Sequence, residues 1–332
     1  MRVGVVVQSN DWKFFTPVFS ALSQRHRVSV FQEREIKTPV LYYRLNNWVR
    51  KLQLARFMQA NDVVFFEWAS KLLSEATELP QWCPILTRLH LYELIDWAPR
   101  VNWAKVNRVI LVSKAMQRQF LERYPHMAQR TLVINNGVSL TTFIPKSRSF
   151  SGKLGTLGAL IPRKGAYELI LTLAELRQRG YGLSLHIAGG DLPGSEYQQY
   201  YLSMRSAVAK LGLHAVVQFY GHVENPHEWL SGIDVFISNS FREGQQMALL
   251  EAMATGCYCL AHFWDGVEEI LPEEYIFATP ADLVQKVIEY CELPDEEKVE
   301  RQRRMRSIAE AKFDEQRMVR EILDVIEQTA RG

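Results

Sequence analysis

The stretch that decides the reading of this chain is FREGQQMALLEAMATGCYCLAHFWDGVEEIL, residues 241–271. From Gly244 to Trp264 its only formal charge is Glu251. The pattern predicts a helix that begins after Gly244 and stops at Gly256. Met247, Leu250, Glu251 and Ala254 fall on it at i, i+3, i+4 and i+7, which puts the carboxylate in the apolar stripe. An unpaired charge there is costly enough to shift its pKa and neutralise it, so Glu251 is expected to meet a ligand. Glu243 stands eight residues earlier, roughly 12 Å away if the whole segment is helical. That separation suits two ends of one extended ligand better than a carboxylate pair sharing acid–base work. Gly244 permits close backbone approach, and the N–H groups opening the helix favour an anion between the two acids. A nucleoside diphosphate sugar fits that description.

Outward from this segment, short runs of Val, Ile, Leu and Phe alternate with longer helical patterns. Six such runs stand in the first half, from RVGVVVQ (2–8) to TLVINN (131–136), and six in the second, from GKLGTLGAL (152–160) to YIFA (275–278). Nearly continuous apolar runs are those of parallel strands covered on both faces by helices. With 332 residues, this predicts an α/β protein of two Rossmann-like, doubly wound parallel-sheet domains. The polar piece PKSRSFSGK, residues 145–153, is the expected linker. The expected division is 1–148 and 149–312, with 313–332 as a helix packing back toward the first domain. The charged tail after residue 295 reads as surface helices.

Composition narrows the class. Hydrophobic residues make up 47% and charged residues 23%, the balance of a soluble globular chain. No apolar run approaches the ~18 residues of a membrane helix, and MRVGVVVQSN is too short a run for a signal peptide. A cytoplasmic setting is expected, and the four cysteines read as buried thiols. Residues 1–150 carry 21 bases against 10 acids, whereas the rest carries 18 against 27. Such asymmetry predicts an anionic partner for the first domain. The segment YYRLNNWVRKLQLARFMQ, 42–59, mixes Arg44, Arg50, Lys51 and Arg56 with Trp48, Leu52 and Phe57. It reads equally as a peripheral contact at the inner face of an anionic membrane and as a core-facing helix with a solvated basic side.

A second loop supplies cations. GTLGALIPRKGAYELI, 155–170, runs strand, turn, helix, with Arg163 and Lys164 at the turn and Gly165 opening the helix. Alone, R-K-G is a solvated basic turn. Beside a diphosphate it becomes a clamp doing the work of a metal on the leaving group. No cluster has metal-ligand spacing and no D-x-D occurs, so no metal and no cofactor are expected.

Segment 241–271 resembles the E-x7-E signature of family-4 retaining glycosyltransferases (glycosyl transferases group 1), which have the GT-B fold, and the resemblance implies that the two Rossmann-like domains face across a cleft. GALIPRKG, LHIAGG, VQFYGHVE, GIDVFISNSF, RVILVSKAM and VINNGVSLTTFIP match further pieces in the family's order, over most of residues 84–271. The resemblance implies a nucleotide-sugar donor held by the C-terminal domain and an acceptor, lipid-linked or glycan, held by the N-terminal one, without nucleic acid. It implies Glu251 on the ribose hydroxyls, Glu243 on the transferred sugar, Lys164 with Arg163 on the diphosphate, and His90 in TRLHLYE near the reacting carbon. His90, Glu243 and Lys164 form the implied catalytic set. Gly165, Gly244, Gln245, Gln246 and Met247 complete the donor site, with Val223 edging the base. The chain departs from the pattern at Ala159, where an arginine is usual, at Gln245 and Gln246, at Ser139, and in the first loop QSNDWKFF, which lacks Gly-Gly. These departures leave two alternatives beside the enzyme: a non-catalytic sugar-nucleotide-binding protein, and a sugar-nucleotide epimerase on the same fold.

Overall fold

The computed structural model describes residues 1–7, 12, 15–34, 42–146, 149–190 and 194–331, without the side chains of 42–44. Most of the first loop, Ser147 and Arg148 of the expected linker, and the Arg44 side chain lie outside the described residues. The chain divides into two compact units, residues 1–136 with 315–332, and residues 137–314.

In the first unit the order is β1 (Arg2–Val6), α1 (Thr16–Arg25), β2 (Arg27–Val30), α2 (Tyr42–Ala60), β3 (Val63–Phe66), α3 (Lys71–Glu78), β4 (Ile85–Leu89), α4 (Leu91–Asp96), β5 (Arg108–Leu111), α5 (Lys114–Arg123) and β6 (Thr131–Val133). The strands form one sheet in the order β2-β1-β3-β4-β5-β6, every pair parallel. In the second unit β7 (Lys153–Leu157), α6 (Ala166–Gln178), β8 (Ser184–Ala188), α7 (Gln198–Lys210), β9 (Val217–Gly221), α8 (Pro226–Leu230), β10 (Val235–Ser238), α9 (Met247–Ala254), β11 (Tyr258–His262), β12 (Ile276–Phe277), α10 (Pro280–Glu292) and α11 (Asp295–Lys312) follow. Their sheet runs β12-β11-β10-β7-β8-β9, again parallel throughout. Each of the twelve apolar runs thus forms a strand with helices on its faces. Cys257, just before β11, and Cys259 within it are buried and form no disulfide, as expected of small hydrophobes.

The last helix, α12 (Glu315–Arg331), is not a surface helix. It buries Met318, Val319, Ile322, Leu323 and Ile326 among Val3, Val5, Val18, Leu22 and Phe65 of the first unit. Its apolar residues recur at i, i+1, i+4, i+5 and i+8, a complete core-facing stripe that the flanking charges obscure. The second unit holds its own ends together. The Arg306 guanidinium of α11 donates to the carbonyls of Leu140, Phe143 and Ala254 at 3.0, 2.5 and 2.7 Å. The Val138 N–H meets the Phe313 carbonyl at 2.8 Å. Residues 137–146 therefore belong to the second unit.

Two further expectations change. Helix α9 starts at Met247, not directly after Gly244, so Glu243 and Glu251 do not lie on one continuous helix. Leu249, Leu250, Ala252, Met253 and Ala254 are all buried, whereas Glu251 shares the partly exposed side with Met247 and Ala248. The helix is apolar nearly all round, which hid from the sequence pattern which side faces outward. Helix α2 also corrects the basic-surface reading at Arg50. That guanidinium is buried and donates to Glu75 at 2.6 and 2.5 Å and to Glu33 at 3.0 Å, and Lys51 pairs with Glu78 at 2.5 Å.

Candidate active site

In the second sheet β7 lies between β8 and β10, so the strand order reverses between β7 and β10. Ligands of open α/β sheets bind beyond the carboxyl ends of strands at such a point. The loops after β7 and β10 meet here: the Phe241 N–H donates to the Arg163 carbonyl at 3.0 Å, and Asn239 Nδ2 donates to the Gly165 carbonyl at 2.8 Å. Pro162–Lys164 make one 3₁₀ turn, and Gly165 leaves it with φ +64° to open α6. A Cβ on Gly165 would stand 2.4 Å from the Asn239 carbonyl oxygen, so glycine is required both for the backbone angle and for the contact.

This junction gathers charge. Lys164 Nζ donates to Glu243 Oε1 at 2.5 Å, and Arg163 Nη1 lies 3.1 Å from the same oxygen. Arg163 also donates to the Arg242 carbonyl. Gly244 and Gln245 are buried behind Glu243, and Gln246 is the N-cap residue of α9. Gln246 accepts a hydrogen bond from the Ser238 hydroxyl and does not cap the helix with its side chain. The first N–H groups of α9 therefore keep their capacity for an anion. A shallow cleft opens here, bounded by Thr156, Gly158, Ala159, Lys164 and Gln246 among others.

Glu251 lies one turn into α9, beyond Met247. Thr255 bonds its backbone carbonyl through both N–H and hydroxyl, and among the described residues no donor reaches its carboxylate. Burial pushes that carboxyl up to about 7. The group is therefore a strong acceptor held ready and partly neutralised by its surroundings. Val223 follows β9 at the sheet edge and is partly exposed. It connects to the cluster through backbone: the Gly189 N–H donates to the Gly221 carbonyl at 2.7 Å, and a Cβ on Gly189 would collide with the Gly158 carbonyl oxygen at 1.7 Å.

The first unit contributes a separate cluster. His90 is the N-cap residue of α4, its backbone N–H donating to Glu93 Oε2 at 3.0 Å in a capping box. Its ring packs on Trp68 with centroids 4.5 Å apart, and its Nε2 lies 3.8 Å from Glu67 Oε1. Glu67 in turn accepts from the Arg88 guanidinium, including one bond of 3.0 Å from Nε. The sequence reading missed Glu67 and Arg88. Their signal was present, since FFEW and TRLH each carry a single charge at the end of an apolar strand. The pairing of Phe66 with Thr87 puts Glu67 and Arg88 level on neighbouring strands.

Among the described residues, no group of three or more His, Cys, Asp or Glu is gathered as a metal site. Residues 151–292 match the model of the family described as glycosyl transferases group 1. The chain is 28% identical over 160 residues to a Drosophila melanogaster tRNA-queuosine alpha-mannosyltransferase, covering 47% of this chain and 40% of that protein. It is 26% identical over 137 residues to the Staphylococcus aureus protein CapJ, covering 40% and 33%. These matches take in less than half the length of those relatives. Among solved structures, Anabaena HepE in complex with UDP and glucose aligns with TM-score 0.78 at 19% identity, over 98% of this chain and 99% of that one. Sucrose-phosphate synthase of Thermosynechococcus elongatus aligns with TM-score 0.75 at 15% identity, over 99% of each. The second unit carries a glycosyl transferases group 1 domain, and the chain as a whole has the two-domain GT-B fold.

Proposed function

We propose that the chain is a retaining glycosyltransferase that moves a sugar from a nucleoside diphosphate donor to an acceptor hydroxyl. The observation that carries this reading is the junction at the sheet switch point, where Arg163, Lys164, Glu243 and the α9 N-terminus converge one turn from Glu251. Lys164 and the α9 N–H groups suit the two phosphates, and Glu251 suits a ribose diol. Glu243, which shares Lys164, suits hydroxyls of the sugar. As the bond from the anomeric carbon to the phosphate breaks, charge grows on the leaving oxygen, where a fixed cation and helix N–H groups stabilise the transition state most. The acceptor oxygen forms its bond from the same face, and its proton passes to the departing phosphate. The UDP and UDP-glucose complexes of HepE support a nucleoside diphosphate as donor product.

Nucleoside diphosphate release from a panel of nucleotide sugars, with and without candidate acceptors and in EDTA, tests the reading. Release that persists in EDTA and depends on Lys164 is expected. Tight binding without release under every condition would instead favour a non-catalytic sugar-nucleotide-binding protein, for which Ala159 in place of an arginine is the motive. The acceptor reading extends to a cytoplasmic chain in peripheral contact with anionic lipid. With Arg50 buried, that contact rests on exposed Trp48, Leu52 and Arg56 of α2. Co-sedimentation with phosphatidylserine vesicles should fall with salt and on Arg56→Gln; failure to pellet at low salt would remove the membrane from the proposal.

A further inference from the structure

Gln246 carries an amide that its own helix does not use. It is the N-cap residue of α9, yet its side chain makes no capping bond. The residue is only 6% exposed, and its Oε1 accepts instead from the Ser238 hydroxyl at the end of β10. Ser238 is fully buried, and that oxygen is the one side-chain acceptor its hydroxyl meets among the described residues. With Oε1 committed to Ser238, the other half of the amide, Nε2, is left with two N–H donors.

No acceptor meets Nε2 among the described residues, and the atom is not sealed from solvent. Gln246 lines the cleft bounded by Gly158, Ala159 and Lys164. Buried amides nearly always have their partners, so one held at Oε1 with its donors unused beside an open cleft points to an acceptor on a ligand. Lys164 lies over Gly158, where a Cβ would stand 3.7 Å from Cε and 3.9 Å from Nζ. Gly158, Ala159 and Leu160 carry no side-chain donor, so that loop brings Lys164 alone into the cleft as a donor. From the other loop Nε2 adds to the N–H groups that open α9. No acidic side chain lines this cleft, and a cation, a helix N-terminus and an amide donor together favour an anion with several acceptor oxygens.

We propose that Gln246 is a catalytic hydrogen-bond donor to the departing diphosphate, with Ser238 as the positioning residue that aims its amide; this rests on the transferase reading. As the bond from the anomeric carbon to the diphosphate oxygen breaks, the electron pair stays on that oxygen. Nε2 donates a hydrogen bond to the diphosphate as this charge grows, and keeps its proton. An amide fixed beforehand stabilises the charge without reorganising, which an amide free to turn does not. Gln246 thus supplies a donor to the cleft in which Ala159 has none.

The test is calorimetric titration of the full chain with UDP, GDP and ADP and with the matching nucleosides, alongside nucleoside diphosphate release from nucleotide sugars. Gln246→Met keeps the length of the side chain and removes the amide. It should weaken binding of the preferred diphosphate by roughly tenfold or more and leave its nucleoside unchanged. Turnover should fall by roughly 10²-fold or more, because the amide meets the most charge in the transition state. Glu251→Gln should instead weaken diphosphate and nucleoside alike. Ser238→Ala should give a smaller loss in the same direction as Gln246→Met. The double variant should lose no more than Gln246→Met alone, because Ser238 acts only through the amide. Gln246→Glu keeps an acceptor for Ser238 and suits a helix N-terminus, so it should fold and still bind the diphosphate more weakly. The proposal is overturned if either folded Gln246 variant binds the diphosphate as the wild type does, if nucleoside affinity falls equally in Gln246→Met, or if the Ser238 and Gln246 losses add. A wild-type chain that binds none of the three diphosphates overturns the transferase reading and this role with it, which tells the two failures apart.

Discussion

Each unit of the molecule has a glutamate bound to cations at the carboxyl end of its sheet, and the two pairs differ in burial. In the first unit Arg88 and Glu67 have side chains only 1% and 0% exposed. In the second, Arg163, Lys164 and Glu243 are 40%, 19% and 10% exposed. Removing water from both partners makes the first pair costly to form and more costly to break, because either charge alone would be stranded. Such a pair fixes geometry, here that of the strand ends below His90. The second cluster keeps contact with solvent, so separating Lys164 from Glu243 leaves neither charge stranded. A glutamate held by cations is therefore sealed from water in one unit and reachable by it in the other.

The largest effect should come from breaking the buried pair. Glu67→Ala leaves the Arg88 guanidinium buried without its carboxylate, beside Met318 Sδ at 3.5 Å. A loss of about 3–5 kcal/mol is expected in urea unfolding, with much of it recovered in Glu67→Gln/Arg88→Met. If Glu67→Ala alone unfolds at wild-type urea concentrations, the contrast between the units collapses.

A smaller effect, opposite in sign, should follow at Glu251. Its carboxyl is raised in the fold from 4.5 to about 7 by burial. Between those values the native state holds the proton and the unfolded chain releases it, so stability falls as pH rises through this window. The penalty is fully present above the folded value. Glu251→Gln should therefore stabilise the protein at pH 8 by an amount on the order of 3 kcal/mol, vanishing at or below pH 4. The same variant should bind nucleoside diphosphate more weakly, by roughly tenfold. A stability gain without that weakening would detach Glu251 from the ribose.

The smallest effect sharpens the comparison within the second cluster. Arg163 is the most exposed member, so Arg163→Ala should change stability by less than about 1 kcal/mol. Lys164→Ala should lower turnover by roughly 10²–10³-fold, as expected when a donor to the developing charge is removed. Equal losses of turnover in the two variants would mean that Arg163, not Lys164 alone, carries the leaving group.

Much of this was legible without coordinates. Twelve apolar runs and their alternation with helices specified two parallel sheets, because a strand buried on both faces has no polar side to confuse the pattern. The turn at Arg163–Lys164–Gly165 and the isolation of Glu251 were visible because one charge in an apolar run is improbable without a use. What stayed hidden was direction. Helix α9 is apolar on nearly every side, so periodicity could not tell which side meets solvent. Arg50 counted as surface charge until Glu75 and Glu33, distant in sequence, were found beside it.

The sequence by itself determined the elements, the parallel character of both sheets and the loops that carry charge, since these depend on local spacing and on runs of residue type. Only the tertiary structure decided which charges meet. Strand order brought the loop after β7 against the loop after β10 and put Glu67 level with Arg88. Those outcomes depend on contacts between residues far apart along the chain, whose energies are set by burial and geometry that no local pattern encodes.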